Sequence, residues 1–344
     1  MTVKLIGDNK KDDWERYVNE NPYSIAWHSY EWSKVLKKRY EIDFYPLAAI
    51  DGSKIVGVLP LYKVKTFFGK MNLISVPFTV AGGILSDSES ISMALLKKAI
   101  DIYEEQQCNS ITLKQYKIRI NGDLKTDENY YNRELELSDN IDLLWSRISS
   151  FNQQKIKESQ KKATDLDHPS KDIDSFYKLL FKHSHKKGLP CPCVDKKCIK
   201  ELIDYNIYSI ALLREDNLVV AGTLIKNFNN AISFPFTCIN DQSEQNLLYA
   251  YNLYWRLLIK HSAEGIKIFH SGRIPKNNKT EPYRLGWGGK IYNYYYQYYP
   301  NKNEVKTENE IKRGRKRDIL SSIWRNIPPG ISKFMGPYVI RYLP

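Results

Sequence analysis

The sequence predicts an α/β fold made from two copies of one unit, and three observations lead there. At 344 residues the chain exceeds one comfortable core, so two domains of ordinary size are expected. Hydrophobic residues make up 42% and aromatic residues 13%, which is ample for buried cores and excludes general disorder. The order of helices, hairpin, strand, helix and strand then occurs twice, with a seam near residues 135–150.

In the first copy, Asp12 to Tyr40 is expected to be helical with a break at Asn21-Pro22. Trp14, Tyr17 and Val18 recur at helical spacing, and Trp32, Val35 and Leu36 mark the second stretch. Two apolar runs, Tyr45 to Ile50 and Lys54 to Tyr62, flank Asp51-Gly52 and predict a hairpin. A strand over Leu73 to Pro77, a helix over Ser90 to Gln107 and a strand over Ser110 to Leu113 complete the copy. The second copy begins with helices over Leu143 to Ala163 and Ile173 to Lys187, then a turn at Gly188-Leu189-Pro190. A hairpin over Ile207 to Leu213 and Leu218 to Phe228 follows, with a strand over Ala231 to Phe236. A helix over Leu247 to Ser262 and a buried strand over Ile266 to Phe269 end it. The expected domains are 1–142 and 143–300, with a tail over 301–344.

The formal charge of +13 implies an anionic partner: nucleic acid, phosphorylated metabolites or an acidic lipid surface. The 25 tyrosines suit wet grooves and interfaces as well as cores. No apolar run approaches the ~18 residues that span a bilayer, and Met1-Thr2-Val3-Lys4 opens without a signal-peptide core. A soluble, cytoplasmic protein is expected. Five cysteines, an odd number, fit a reducing compartment better than a disulfide framework.

The segment Ile268-Phe269-His270-Ser271-Gly272-Arg273 places a fixed cation where a strand gives way to a loop. Such strand ends are where α/β sheets grip ligands. Ten residues on, Tyr283-Arg284-Leu285-Gly286-Trp287-Gly288 adds a second cation, flat aromatic surface and glycines that admit close approach. A pocket for a large anionic substrate is one reading; a structural strand with a surface Arg is the other.

In order along residues 14–299, these pieces resemble the FemAB-like branch of the GNAT acyltransferase superfamily. The segments are Ala26-Trp27-His28 with Trp32, Gly57-Val58-Leu59-Pro60-Leu61, Phe68-Gly69, Ser75-Val76-Pro77-Phe78 and Gly82-Gly83. In the second half, Gly188-Leu189-Pro190 resembles a Gly-Thr-Pro element and Tyr251-Asn252-Leu253-Tyr254-Trp255 the family's Asn-containing helix. The two cation-bearing segments resemble its Phe-Asp-Phe-Gly-Arg-Ser and Phe-Lys-x-x-Trp-Gly signatures. The resemblance implies a tandem pair of GNAT-like domains, here with a basic C-terminal extension. It implies transfer of an acyl or aminoacyl group to an amine, in making cell-wall peptides or envelope polysaccharides. It also implies an anionic donor, acyl-CoA or aminoacyl-tRNA, used as co-substrate with no tightly bound cofactor.

The implied catalytic positions are His270, Arg273 and Asn252. The implied substrate-binding positions are His28, Trp32, Phe78, Gly83, Pro190, Tyr251, Tyr283, Arg284 and Trp287. Three departures stand out: His270 replaces an Asp, Ser271 replaces an aromatic, and Tyr283-Arg284 replaces Phe-Lys. An imidazole still accepts a proton near neutral pH, but it holds no cationic amine by charge. The helix around Asn152-Gln153-Gln154-Lys155-Ile156-Lys157 is also more polar and less Arg-rich than the family's. Amide formation needs a polarised carbonyl and a route for one proton. Arg273 and Arg284 suit phosphates or a carboxylate, His270 the proton, and Asn252 a substrate amide. His28 is the weaker proton acceptor or a buried structural histidine. Trp287 and Tyr283 either stack on a nucleobase or belong to the core.

The usual CoA signature, Gln/Arg-x-x-Gly-x-Gly/Ala before a helix, has no clean instance, which tilts slightly toward aminoacyl-tRNA or another noncanonical donor. His183, His185, Cys191, Cys193 and Cys198 lie within sixteen residues, but Cys-x-Cys around a Pro is not the usual zinc knuckle, and no metal is expected. The tail holds ten Lys/Arg and four Asp/Glu from Asn301 to Pro344, five of the basic residues within Lys312 to Arg317. That run reads as a solvated linker. Behind it, Ile319 to Pro328 and Ile331 to Tyr342 carry apolar residues and a Trp. They read either as an interfacial membrane contact over residues 312–342 at the inner face or as a segment docked on its own domain. Two other classes stay open: a nucleic-acid-binding module, and a noncatalytic transferase serving as an assembly partner.

Overall fold

The computed structural model describes residues 1–66, 69–191, 195–240, 244–276, 286–302, 305, 307 and 315–342. The chain divides into two compact units. One is Met1–Tyr130 with Asn293–Arg317 and Tyr338–Pro344; the other is Tyr131–Tyr292 with Asp318–Pro337.

The first unit opens with β1 (Thr2–Leu5), α1 (Lys11–Glu20) and α2 (Glu31–Tyr40). The expected break between the helices is present, and α2 stops at Glu41, which is left-handed with φ 56°. The predicted hairpin is β2 (Asp43–Asp51) and β3 (Lys54–Lys65), paired antiparallel around Gly52. Next come β4 (Met71–Ser75), β5 (Leu85–Ser86), α3 (Glu89–Glu105) and β6 (Ser110–Tyr116). Ser88 caps α3 by accepting the Ile91 N–H. β4 lies antiparallel to β3 but parallel to β6, with α3 as the crossover between the parallel pair. Leu47, Leu59, Leu61, Leu73, Leu95 and Leu113 meet in the core under α3.

The second unit repeats that order. After β7 (Lys125–Glu136) come α4 (Ile141–Ser146), α5 (Ser150–Ser159), β8 (Asp165–Asp167), α6 (Ile173–Lys186) and α7 (Lys196–Asp204). The hairpin is β9 (Ser209–Glu215) and β10 (Leu218–Phe228), followed by β11 (Ala231–Ser233), β12 (Cys238–Ile239), α8 (Glu244–Ala263), β13 (Ile268–His270) and β14 (Ile274–Pro275). β11 is antiparallel to β10 and parallel to β13, with α8 between them. The same antiparallel, antiparallel, helix, parallel sequence therefore appears in both units, as the order of elements predicts. Leu253, Leu257, Ile232, Phe234, Phe269 and Trp287 belong to its core.

Several details differ from expectation. The helix foreseen over Leu143 to Ala163 is two helices, because Ser149 caps α5 through the Asn152 N–H while its own N–H bonds the Gly286 carbonyl. β7 escapes the hydropathy pattern because Tyr130, Asn132 and Glu134, its alternate buried positions, are partly polar. The last strand, β15 (Lys290–Tyr299), pairs antiparallel with β6, so residues from Asn293 cluster with the first unit. Its Tyr294, Tyr296 and Tyr298 are buried at a period of two, and Tyr296 donates to the Val80 carbonyl at 2.7 Å. The basic run expected as a linker enters α9 (Arg315–Asn326) at Arg315, and α10 (Pro329–Ile340) follows.

Candidate active site

In the second unit the site grows from the pairing of β13 with β7. His270 stands opposite Glu134 in the antiparallel register. Strand alternation turns Asn132 and Glu134 to one face, and both reach the imidazole. Asn132 Nδ2 lies 2.9 Å from His270 Nδ1, and Glu134 Oε1 lies 3.5 Å from the same nitrogen. Asn132 Oδ1 accepts the Gly272 backbone N–H at 3.0 Å and the Ser271 hydroxyl at 3.4 Å. A backbone N–H only donates, so the Asn132 amide is oriented and its NH2 donates to Nδ1. The imidazole therefore keeps its hydrogen on Nε2. The sequence suggests a proton acceptor at His270; the resting geometry makes its distal nitrogen a donor. Glu134 is the more buried of the pair, with a side chain 8% exposed against 23% for His270.

Gly272 has φ +83°, and an added Cβ there would meet nothing within 4 Å. The backbone angle, not crowding, asks for glycine. Ser271 ties the turn to β7: its N–H donates to the Arg133 carbonyl at 3.0 Å, and its hydroxyl accepts the Arg133 N–H at 3.1 Å. Arg273 follows, half-buried, at the start of β14. Tyr283 and Arg284 lie outside the described residues.

Trp287 is 1% exposed, with the rings of Tyr254 and Tyr251 at 5.5 and 6.1 Å. It is a core residue, one of the two alternatives the sequence leaves open, and presents no face to a nucleobase. Tyr251 shares that core, and burial pushes its hydroxyl up to about 12. Gly286 belongs to the same construction: a Cβ there would sit 2.3 Å from Asn152 Oδ1 and 2.6 Å from Ser149 Oγ. The Gly-Trp-Gly segment thus packs onto the start of α5. Asn252, on α8, is buried and donates from Nδ2 to the Ser159 carbonyl at 3.0 Å. It clamps the end of α5, and among the described residues its Oδ1 has no hydrogen-bond partner.

In the first unit, His28 and Gly83 come together. The Ile25 N–H donates to His28 Nδ1 at 3.1 Å, and Nε2 meets the Gly83 carbonyl at 3.2 Å. Both ring nitrogens serve the backbone, and burial pushes the pKa down to about 4. His28 is thereby a neutral structural histidine rather than a proton acceptor. Together with Tyr23, Ser86, Glu89, Gln115 and Asn121 they line a cavity of about 270 Å³. Gly83 is needed for contact, since a Cβ would lie 2.5 Å from Gln115. The loop leading there is strained: Val76 and Phe78 have φ of 45° and 62°, costly for non-glycine residues and most of all for a β-branched one. Buried Lys114 supports it, with Nζ donating to the carbonyls of Val76 and Thr79. Phe78 packs on Tyr40 and Trp32 on Trp27.

Pro190 is buried beyond the Gly188 turn. Among the described residues no group of three or more His, Cys, Asp or Glu is arranged to hold a metal; Cys193 lies outside them. His185 is engaged otherwise, with Nε2 at 2.9 Å from the Ile327 carbonyl.

No family model matches the sequence, and no curated protein is significantly similar to it. Solved structures do match. FemX superposes with a TM-score of 0.68 at 11% identity, over 86% of this chain and 97% of that one. L-PGS from Bacillus licheniformis gives 0.58 at 11%, over 94% and 99%. A tandem GNAT protein from the clavulanic acid biosynthesis pathway gives 0.53 at 10%, over 86% and 97%. Such identities speak to fold alone, and they agree with the repeated parallel-strand crossover. The chain shares the fold of these proteins, a tandem GNAT protein among them.

Proposed function

We propose that this chain transfers an acyl or aminoacyl group from an activated ester or thioester to an amine. The observation that carries the reading is the Asn132–His270–Glu134 array, built on the parallel-strand crossover of a fold shared with FemX and L-PGS. In the step proposed, the amine nitrogen bonds to the donor carbonyl carbon and the carbon–oxygen or carbon–sulfur bond breaks. The amine's proton ends on the departing oxygen or sulfur. His270 Nε2–H donates to the carbonyl oxygen as charge develops there, the kind of interaction worth about 10²–10³ in rate. Glu134, opposite His270 in the strand register, helps hold the ring in place. Arg273 and Arg284 hold the anionic part of the donor by fixed, forked hydrogen bonding.

The acceptor we favour is an amine of a cell-envelope precursor, a peptidoglycan peptide or an amino sugar, reached from the cytoplasmic side. The donor is acyl-CoA or aminoacyl-tRNA. The charge of +13 and the missing glycine-rich CoA signature support a tRNA ester. Mass spectrometry of products, after offering acyl-CoAs or charged tRNAs with envelope precursors, tests the proposal. An acceptor heavier by one acyl or aminoacyl group, lost in His270→Ala, is the expected result. Absence of transfer with every donor would leave a binding protein on a transferase fold.

A further inference from the structure

The last two helices wear their apolar residues on the outside. α10 buries Ser332, Gly336 and Ile340, spaced i, i+4, i+8, while Ile331, Phe334, Met335 and Tyr338 are exposed at i, i+3, i+4, i+7. Helices of folded domains ordinarily do the reverse. Phe334 is 72% exposed, and on α9 Ile319, Leu320 and Ile323 are each more than half exposed. These helices are nonetheless seated. Gly188, at φ +70°, lies so close under α9 that a Cβ would be 2.3 Å from the Ser321 carbonyl. His185 Nε2 meets the Ile327 carbonyl at the end of α9, and Gly336 of α10 packs toward the Trp324 ring. The exposed apolar face is therefore presented by anchored helices.

We propose that the α9–α10 face docks on an anionic lipid bilayer surface, an inference independent of the transfer chemistry. Residues 312–344 contain eight Lys/Arg and one Asp. Apolar side chains for the acyl boundary and an excess of cations for the headgroups are the two attractions that interfacial helices combine. No described helix is long and apolar enough to cross a membrane, so the helices lie in the interface plane. A second copy is the poorer occupant, because pairing this face with itself sets the exposed Arg325 and Lys333 of each copy against those of the other.

Flotation of the full chain with phosphatidylglycerol-containing vesicles, beside phosphatidylcholine vesicles, tests the proposal. The expected result is binding to the anionic vesicles, weakened by high salt. Phe334→Ser combined with Met335→Ser should weaken it roughly tenfold or more, from the lost burial of two large side chains. Arg325→Glu with Lys333→Glu should sharply reduce the preference for anionic lipid while leaving the apolar face intact. Thermal melts establish that each variant is folded, and Ile323→Ser on α9 gives a second reading if the α10 pair is not. The proposal falls if the wild-type chain ignores anionic vesicles, or if the folded variants bind as it does. It falls equally if Phe334→Ser instead dissolves a concentration-dependent dimer seen by sedimentation.

Discussion

Protonation of His28 should be one measurable source of acid sensitivity in the first unit. The ring is buried, both nitrogens are committed to backbone groups of Ile25 and Gly83, and its pKa falls from 6.5 to about 4. A depressed pKa in a base means that the unfolded chain binds the proton first. Stability is then complete above the unfolded value of 6.5 and is lost as pH falls toward about 4. The full loss is about 3 kcal/mol, at 1.36 kcal/mol per unit, and about 2 kcal/mol is gone by roughly pH 5. His28→Gln keeps a donor and an acceptor but removes the titration. Urea unfolding of both proteins at neutral pH and near pH 5 reads the difference. The wild type should lose about 2 kcal/mol more than the variant over that interval. Other histidines, such as His183, titrate equally in both proteins and cancel. Equal losses would show that His28 is not held neutral by burial, and the cavity wall built on it would have to be redrawn.

Other substitutions probe the second unit and the tail. Asn132→Leu removes the group that fixes the His270 tautomer and leaves the Gly272 N–H without its acceptor, so it should cost about 1–3 kcal/mol in stability and reduce transfer more than donor binding, read as kcat against KM. Gly286→Ala drives a Cβ to 2.3 Å from Asn152 and should lower the melting temperature of the second unit, by a ΔΔG of about 1–3 kcal/mol. Gly188→Ala combines an unfavourable φ with a 2.3 Å contact to Ser321, and faster hydrogen exchange across α9 is the expected signature. Arg273→Ala and Arg284→Ala should raise the KM for an anionic donor, and unimpaired transfer by both would remove these cations from the site.

The repeated unit was legible because its signals are local. The turn at Asp51-Gly52 flanked by apolar runs, and the helical spacing in Leu247 to Ser262, need no knowledge of the partner element. The seat of His270 was legible as a strand end, but its partners were not. Asn132 and Glu134 lie 138 and 136 residues away in a strand whose buried face is partly polar, so no hydropathy alternation announces it. Trp287 is a case the sequence leaves open between two readings. A Gly-Trp-Gly segment resembles a loop offering an aromatic to a ligand, yet the glycines here let the backbone press against α5 and send the ring into the core. The tail is docked by Gly188 and His185 on one side and exposes apolar residues on the other. That division depends on which face of each helix packs, which helical spacing alone leaves undetermined.

The most direct test of the central claim is a transfer assay on the wild-type chain, His270→Ala and Glu134→Gln with charged tRNA or acyl-CoA as donor. Mass spectrometry would follow the amine acceptor. The account predicts an acceptor carrying one added acyl or aminoacyl group, a loss of about 10²–10³ in rate for His270→Ala, and a smaller loss for Glu134→Gln. Full activity in His270→Ala would contradict it.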